Sequence, residues 1–161
     1  MQQAIVPNLW FDTEAEEAAE FYCSIFTNSK ITNVTHYPDA SDRAGMVLTV
    51  EFELNGNKFV GINGGPEFKF DEAVSFQITC EDRDEIDGYW EKLTADGGEE
   101  GMCGWIKDKY GLSWQVVPEG FDEALFDPDP ERANRAWEAM MKMRKLDIAA
   151  LRAAADGVEV S

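Results

Sequence analysis

The two halves of the chain repeat one pattern, and this repeat restricts the possible folds more than any other feature of the sequence. When the sequence is compared with itself at an offset of 68 residues, acidic positions coincide, with Glu14 over Asp82 and Glu17 over Glu85. Apolar positions with helical spacing coincide as well, which predicts an equivalent helix in each half. The matched apolar pairs are Phe21 with Tyr89, Tyr22 with Trp90, and Ile25 with Leu93.

Each half is predicted to run in the order strand, helix and three further strands. In the first half, Asp12 or Thr13 can cap the helix, and Asn55-Gly56 is a strong turn between two strands. Alternating apolar residues between turn residues give the strand bounds. The predicted strands of this half cover residues 5–11, 30–37, 46–54 and 57–63.

The second half is predicted to have a helix over residues 82–95 and to end in a two-stranded hairpin. The turn of this hairpin is Asp108-Lys109-Tyr110-Gly111, in which Gly111 is free to adopt a positive φ. Pro118 ends the last strand, because proline cannot donate to a sheet. The predicted strands of this half cover residues 73–80, 99–102 (a weak pattern), 105–107 and 112–117.

Beyond Pro118 the pattern becomes helical. Asp129-Pro130 is a favourable helix start, and Asp147 can cap the last helix. Helices are predicted over residues 121–126, 131–145 and 148–155. We therefore expect an α+β fold. Residues 1–120 would form two tandem βαβββ modules, 1–66 and 72–118, and residues 121–161 would form a C-terminal helical extension of the same domain.

The net charge of −18 argues against several classes of partner. Nucleic acids and anionic membrane surfaces are bound through Lys and Arg, so we expect neither as a partner. Cys23, Cys80 and Cys103 are odd in number and lack CxxC spacing, which favours reduced thiols. The N-terminal sequence lacks the basic and apolar regions of a signal peptide, which predicts a cytoplasmic protein.

The last hairpin resembles that of the vicinal oxygen chelate superfamily, which includes glyoxalases, bleomycin-resistance proteins and extradiol dioxygenases. The chain also contains the stretches Pro7–Asp12, Glu16–Tyr22, Ile25–Ile31, Asn63–Pro66, Val74–Phe76 and Trp105–Pro118. Through these stretches, residues 4–155 resemble the PhnB-like proteins of this superfamily, which are often labelled demethylubiquinone 3-methyltransferase. The resemblance implies that the two modules form a paired half-barrel cup and that the protein is a homodimer.

Metal-dependent members of the superfamily hold a divalent ion with His, Glu or Gln from four strands of the cup. The resemblance places the corresponding positions at Pro7, Asn63, Ser75 and Gln115. Proline offers no side-chain ligand, and neutral amides and hydroxyls are weak ligands for zinc, nickel or iron. His36 is the single histidine, so a multi-histidine site cannot form. We therefore expect no metal and no other cofactor.

A pocket lined by amides and walled by aromatic rings suits the binding of a small molecule more than catalysis. Alternation along the last strand places Gln115 and Trp114 on opposite faces. The resemblance implies that Gln115 faces the cup and Trp114 faces the helices. Cys103 is the one candidate nucleophile, but no His or Arg lies near it in sequence, which favours a packing role. The expected ligand-binding residues are Asn8, Trp10, Asn63, Phe68, Ser75, Gln77, Trp105 and Gln115.

Two functions remain open at this point. The preferred hypothesis is a metal-free binding module for a small molecule, similar to the bleomycin-resistance proteins, in which Asn63, Ser75 and Gln115 face one cavity. The alternative is an enzyme, either the methyltransferase of the family label or a metal-dependent lyase or dioxygenase. The sequence contains no glycine-rich strand-to-helix loop of the type that holds S-adenosylmethionine in Rossmann-type enzymes.

Overall fold

The computed structural model describes residues 3–158. The chain divides into two compact units after Phe70, and the C-terminal helices belong to the second unit. Residues 1, 2 and 159–161, at the ends of the predicted modules and extension, lie outside the described residues.

The first unit packs one helix on one face of a four-stranded sheet. The sheet has the strand order β1-β4-β3-β2, with β1 parallel to β4 and the other pairs antiparallel. Tyr22 of the helix is fully buried and stacks on Phe52, with ring centroids 6.3 Å apart. The elements are β1 (Asn8–Phe11), α1 (Ala15–Ile25), β2 (Lys30–His36), β3 (Val47–Leu54) and β4 (Asn57–Asn63).

The second unit repeats this topology. Its sheet has the order β5-β8-β7-β6, again with the first strand parallel to the last, so the prediction of two modules of the same type is confirmed. Ile86, Trp90 and Leu93 of its helix are buried. The elements are β5 (Ser75–Cys80), α2 (Arg83–Thr94), a 3₁₀ turn (Ala95–Gly97), β6 (Glu99–Glu100), β7 (Trp105–Lys107) and β8 (Ser113–Pro118).

Three C-terminal helices follow, α3 (Phe121–Leu125), α4 (Pro130–Met140) and α5 (Ile148–Ala155). They form an apolar cluster with the end of β8, in which Val117, Leu146 and Leu151 are buried. The predicted helix over 131–145 is too long, because the backbone carbonyls of Met143 and Arg144 accept hydrogen bonds from residues 103 and 104 instead of continuing the helix.

The two sheet-packed helices begin in different ways. Asp82 caps α2 through its own side chain, which accepts from the backbone N–H of Glu85, as expected for an N-cap. The prediction that Asp12 or Thr13 caps α1 is wrong. The residue before α1 is Glu14, which makes no side-chain cap, and the N–H of Ala15 donates to the Asn63 side chain at 2.8 Å.

The repeat contains a shift of one residue between strands and helices. The parallel pairing of β1 with β4 ends at Phe11 and Asn63, and that of β5 with β8 ends at Cys80 and Pro118. Equivalent residues of β1 and β5 are therefore 69 positions apart in the chain. The helices begin at Ala15 and Arg83 and keep the offset of 68. The reason is that three residues connect β1 to α1, whereas two connect β5 to α2. Residues of β1 and β5 that match at the offset of 68 therefore lie on different faces of their own sheets, one on the face packed on the helix and the other on the opposite face.

Candidate functional site

Each sheet has a core face, packed on its helix, and a second face, here called the open face. In β1, Leu9 and Phe11 are buried on the core face, so Asn8 and Trp10 lie on the open face of the first sheet. Asn8 and Trp10 are two of the residues expected to bind the ligand. Pro7 precedes β1, and its position in the register is on the core side.

Asn63 is a correction to the sequence-based site. It alternates with Phe59 and Gly61 on the core face of β4 and is only 5% exposed. Its amide oxygen accepts from Ala15 N, and its amide nitrogen donates to Val47 O at 3.2 Å. Because both polar groups bind backbone, Asn63 stabilises the start of α1 and does not present its amide on the open face.

Trp10 is fixed by the loop that follows β4. Its indole N–H donates to Gly65 O at 2.9 Å, and its ring meets Phe68 edge-on at 4.9 Å. A Cβ at Gly64 would lie 2.3 Å from the Trp10 ring, so the close approach requires glycine. Phe68 itself is largely exposed, and Phe70 packs on Phe11 rather than on Trp10. Trp10 and Phe68 thus form an aromatic surface in the first unit.

In the second sheet, Ser75, Gln77, Trp105 and Gln115 lie on the open face. The strand register pairs Gln115 with Gln77 on one side and with Trp105 on the other. The Gln115 amide nitrogen donates to Ser75 Oγ at 2.9 Å. This row joins four of the eight predicted ligand-binding residues on one surface of one unit.

Trp114 lies on the opposite face, as the alternation predicts. It is 3% exposed, packs on Phe76, and donates its indole N–H to Asp108 Oδ2 at 2.9 Å. Asp108 is itself buried at the hairpin turn, where Oδ1 also accepts from the N–H groups of Tyr110 and Leu112. The Asp108 carboxylate is therefore structural, because it holds the backbone of the turn and the indole of Trp114 on β8.

A cavity of about 180 Å³ lies beside Trp105 at one end of the open face of the second sheet. Ser113 and Lys107 face each other across β7 and β8 and line it. Lys107 forms an ion pair with Glu72, which raises the pKa of Lys107 and lowers that of Glu72. The other lining residues are Glu99, Glu100, Gly101 and Ile106.

A second cavity of about 620 Å³ lies at the other end of this face. Gln77, Thr79 and Val117 contribute from the sheet, while Phe121, Ile148 and Arg152 contribute from the C-terminal region. Val117 shares the open-face side of β8 with Gln115 but is buried in the C-terminal apolar cluster. The C-terminal helices therefore cover one end of the open face of the second sheet.

The described part of the chain offers little for metal or thiol chemistry. Residues 3–158 hold no group of three or more His, Cys, Asp or Glu side chains that could bind a metal ion. Burial, reinforced by the charges of Glu85 and Asp82, raises the pKa of the Cys80 thiol to about 12. Cys103 is half-buried, has a φ of 58°, and donates its thiol to Met140 O at 3.6 Å. The surroundings of both thiols therefore fit a role in packing rather than in catalysis.

Residues 3–117 match the family model described as 3-demethylubiquinone-9 3-methyltransferase. A PhnB protein from Bacillus cereus shares 36% identity, with 72% of this chain and 99% of that protein covered and a TM-score of 0.65. The chain belongs to this family. The family model ends before the three C-terminal helices begin, so these helices are an addition to the part that the family shares.

More distant structures show the same fold. Protein PA1353 from Pseudomonas aeruginosa has 17% identity, with 73% of this chain and 98% of that one covered and a TM-score of 0.62. The fosfomycin resistance protein FosX from Listeria monocytogenes has 17% identity, with 72% of this chain and 91% of that one covered and a TM-score of 0.51. The chain therefore has the glyoxalase/bleomycin-resistance fold. None of the curated proteins matches it.

Among residues 3–158, no helix has both the length and the apolar character needed to cross a bilayer.

Two features of the candidate site were not predicted from the sequence. Ser113 stands out only because its buried hydroxyl has no hydrogen-bond partner among the described residues, which a sequence pattern does not reveal. The ion pair between Lys107 and Glu72 was missed because the two residues lie far apart in the chain. The alternation along β8 could have put Ser113 on the same face as Gln115.

Proposed function

We propose that this family member is a metal-free binding protein for a small molecule, with the open face of the second sheet as its site. The observation that carries the proposal is the hydrogen bond between Gln115 and Ser75, on a face that also presents Gln77 and Trp105. Binding sites of this kind combine a few placed polar groups with aromatic walls.

The chemistry of this row favours binding over metal catalysis. Gln115 keeps its amide oxygen as an acceptor after donating to Ser75, and Gln77 adds a second amide nearby. These groups are neutral, so they can hydrogen-bond an uncharged polar ligand, but they lack the charge that carboxylates bring to a divalent ion. Asn8, Trp10 and Phe68 are proposed as ligand-binding residues of the first unit, considered by itself.

The alternative is an enzyme. The family description names a methyltransferase, and one neighbour of the same fold is a fosfomycin resistance protein crystallised with Mn(II). A methyltransferase must bind S-adenosylmethionine, and a metal-dependent enzyme must retain its ion through chelator-free purification. Calorimetry with S-adenosylmethionine and elemental analysis therefore separate the three functions.

A fragment screen by NMR tests the binding proposal directly. We expect fragments that shift the Gln115 side-chain amide and the Trp105 indole resonances of the intact protein. Gln115→Ala should weaken these fragments, whereas Glu91→Ala, an exposed change on α2, should leave their binding unchanged. Fragments that bind with equal affinity to both variants, or stoichiometric zinc, nickel or iron lost in Gln115→Ala, would contradict the proposal.

We also propose that the protein is a homodimer located in the cytoplasm. Sheet edges with unpaired backbone groups invite pairing. Trp137 of α4 and Met141, the residue that follows α4, lie one helical turn apart, and each is 50% exposed. Multi-angle light scattering should give twice the chain mass at micromolar concentration. A monomer mass for the wild type would refute the dimer, and a dimer that persists in Trp137→Glu would exclude α4 from its interface.

A further inference from the structure

Ser113 holds a buried hydroxyl without a partner. The residue is 1% exposed, and within residues 3–158 its Oγ has no hydrogen-bond donor or acceptor in reach. Buried polar groups without a partner are uncommon in folded proteins, and each one requires an explanation. A ligand group that supplies the missing hydrogen bond is such an explanation when the hydroxyl borders a cavity.

Ser113 does border a cavity, and an aromatic ring forms one wall of it. The cavity beside Trp105 has a volume of about 180 Å³, below the roughly 300–1,000 Å³ of sites for drug-sized ligands. Trp105 lies two residues before Lys107, the cross-strand partner of Ser113, so the indole and the hydroxyl share one face. The volume and the ring together suit a molecule with a single ring.

The charges around the cavity favour a ligand that donates hydrogen bonds. The ammonium group of Lys107 is paired with Glu72. The carboxylate of Glu100 accepts from Trp90 Nε1 at 2.7 Å and from Arg144 at 3.4 Å. Glu99 is the remaining lining carboxylate; its charge helps to raise the pKa of Lys107, but it forms no direct ion pair with any described residue. The groups with spare capacity are thus an acceptor carboxylate and a hydroxyl.

We propose that this cavity binds a planar, one-ring aromatic cation with N–H donors, such as an aromatic amidine. Its ring packs on Trp105, one N–H donates to Ser113 Oγ, and the positive charge lies near Glu99. This inference rests on the proposed binding function and narrows the ligand class for that face.

Three probes of equal shape test the ligand class, namely benzamidine, benzamide and benzoate. Binding to the intact protein is followed by the shift of the Trp105 indole resonance, assigned with Trp105→Phe. We expect the affinity order benzamidine, benzamide, benzoate. Ser113→Ala should weaken benzamidine by about 5-fold, the equivalent of one ordinary hydrogen bond. Glu99→Gln, an exposed change, should reduce the preference for benzamidine over benzamide.

Several outcomes would overturn the inference. Benzoate binding as tightly as benzamidine would do so, and so would equal benzamidine affinity in Ser113→Ala and wild type. If fragments bind at Gln115 but none of the three probes shifts Trp105, this inference fails while the proposed function stands. If nothing binds either Gln115 or Trp105, both fail. Circular dichroism spectra that match the wild type establish that each variant is folded.

Discussion

Removal of the Asp108 carboxylate should destabilise the hairpin that carries Trp105, Ser113 and Gln115. Asp108 is 2% exposed, and its two oxygens accept three hydrogen bonds, from the Tyr110 and Leu112 N–H groups at 2.9 and 3.1 Å and from the Trp114 indole at 2.9 Å. Asp108→Ala leaves these donors without their acceptor.

The expected cost follows from these contacts. A hydrogen bond to a charged group contributes about 1.5–3 kcal/mol, and a donor left unsatisfied in a buried site costs about 1–3 kcal/mol. We expect Asp108→Ala to lower the free energy of unfolding by about 3–5 kcal/mol, at the upper end for single substitutions. Asp108→Asn keeps one oxygen for the two backbone donors but places an NH₂ group against the indole N–H, and should cost about 2 kcal/mol.

Urea unfolding followed by circular dichroism measures both values, with Asp39→Ala in an exposed loop as the matched control. A double-mutant cycle with Trp114→Phe isolates the indole contact, because phenylalanine has no N–H to leave unpaired. The cycle should give a coupling energy of about 1–2 kcal/mol. Equal unfolding midpoints for Asp108→Ala and Asp39→Ala would refute this account of the hairpin.

Three further changes are expected to have measurable effects. Asn63→Ala should lower the free energy of unfolding by about 1–2 kcal/mol in urea titrations, because α1 loses its cap; no change would mean that water replaces the amide. Gly104→Ala should lower the melting temperature in calorimetry, since its φ is 84° and a Cβ would lie 2.8 Å from Leu146 Cδ1; an unchanged value would contradict the packing. Lys145 lowers the pKa of Asp87, so this ion pair stabilises the fold above the ordinary pKa of an aspartate, and the stabilisation is lost as the pH falls through the lowered value. The stability difference between wild type and Lys145→Met should therefore shrink in acid, and a constant difference in urea titrations from pH 7 to pH 3 would count against the ion pair.

Much of the fold could be predicted from the sequence, because local patterns determine it. The α5 bounds and the Asp147 cap are as predicted, as are the bounds of β4 and β7 and the positive φ of Gly111. The misses come from partners that are distant in the chain. The cap of α1 is supplied by Asn63, 48 residues away, and α4 ends early because backbone groups after it pair with residues near Cys103.

The candidate site could be predicted in part for the same reason. Alternation along one strand is a local property, so the opposite faces of Gln115 and Trp114 were predictable. The face of Asn63 was predicted wrongly. Asn63 was matched with Gln115 because each lies three residues before a proline, but in the strand pairing Asn63 occupies the position that corresponds to Pro118. Equal spacing in sequence did not mean equal register in the sheet.

The unequal connections before α1 and α2 also bear on how a duplicated gene can diverge. A residue added or lost between strand and helix changes which side chains of that strand reach the open face, while the helix keeps its own packing. Asn8 and Phe76 coincide at the helix offset, yet one is exposed on the open face and the other packs on Trp114. One codon gained or lost in such a connection can therefore replace a whole set of ligand contacts without a single substitution in the strand.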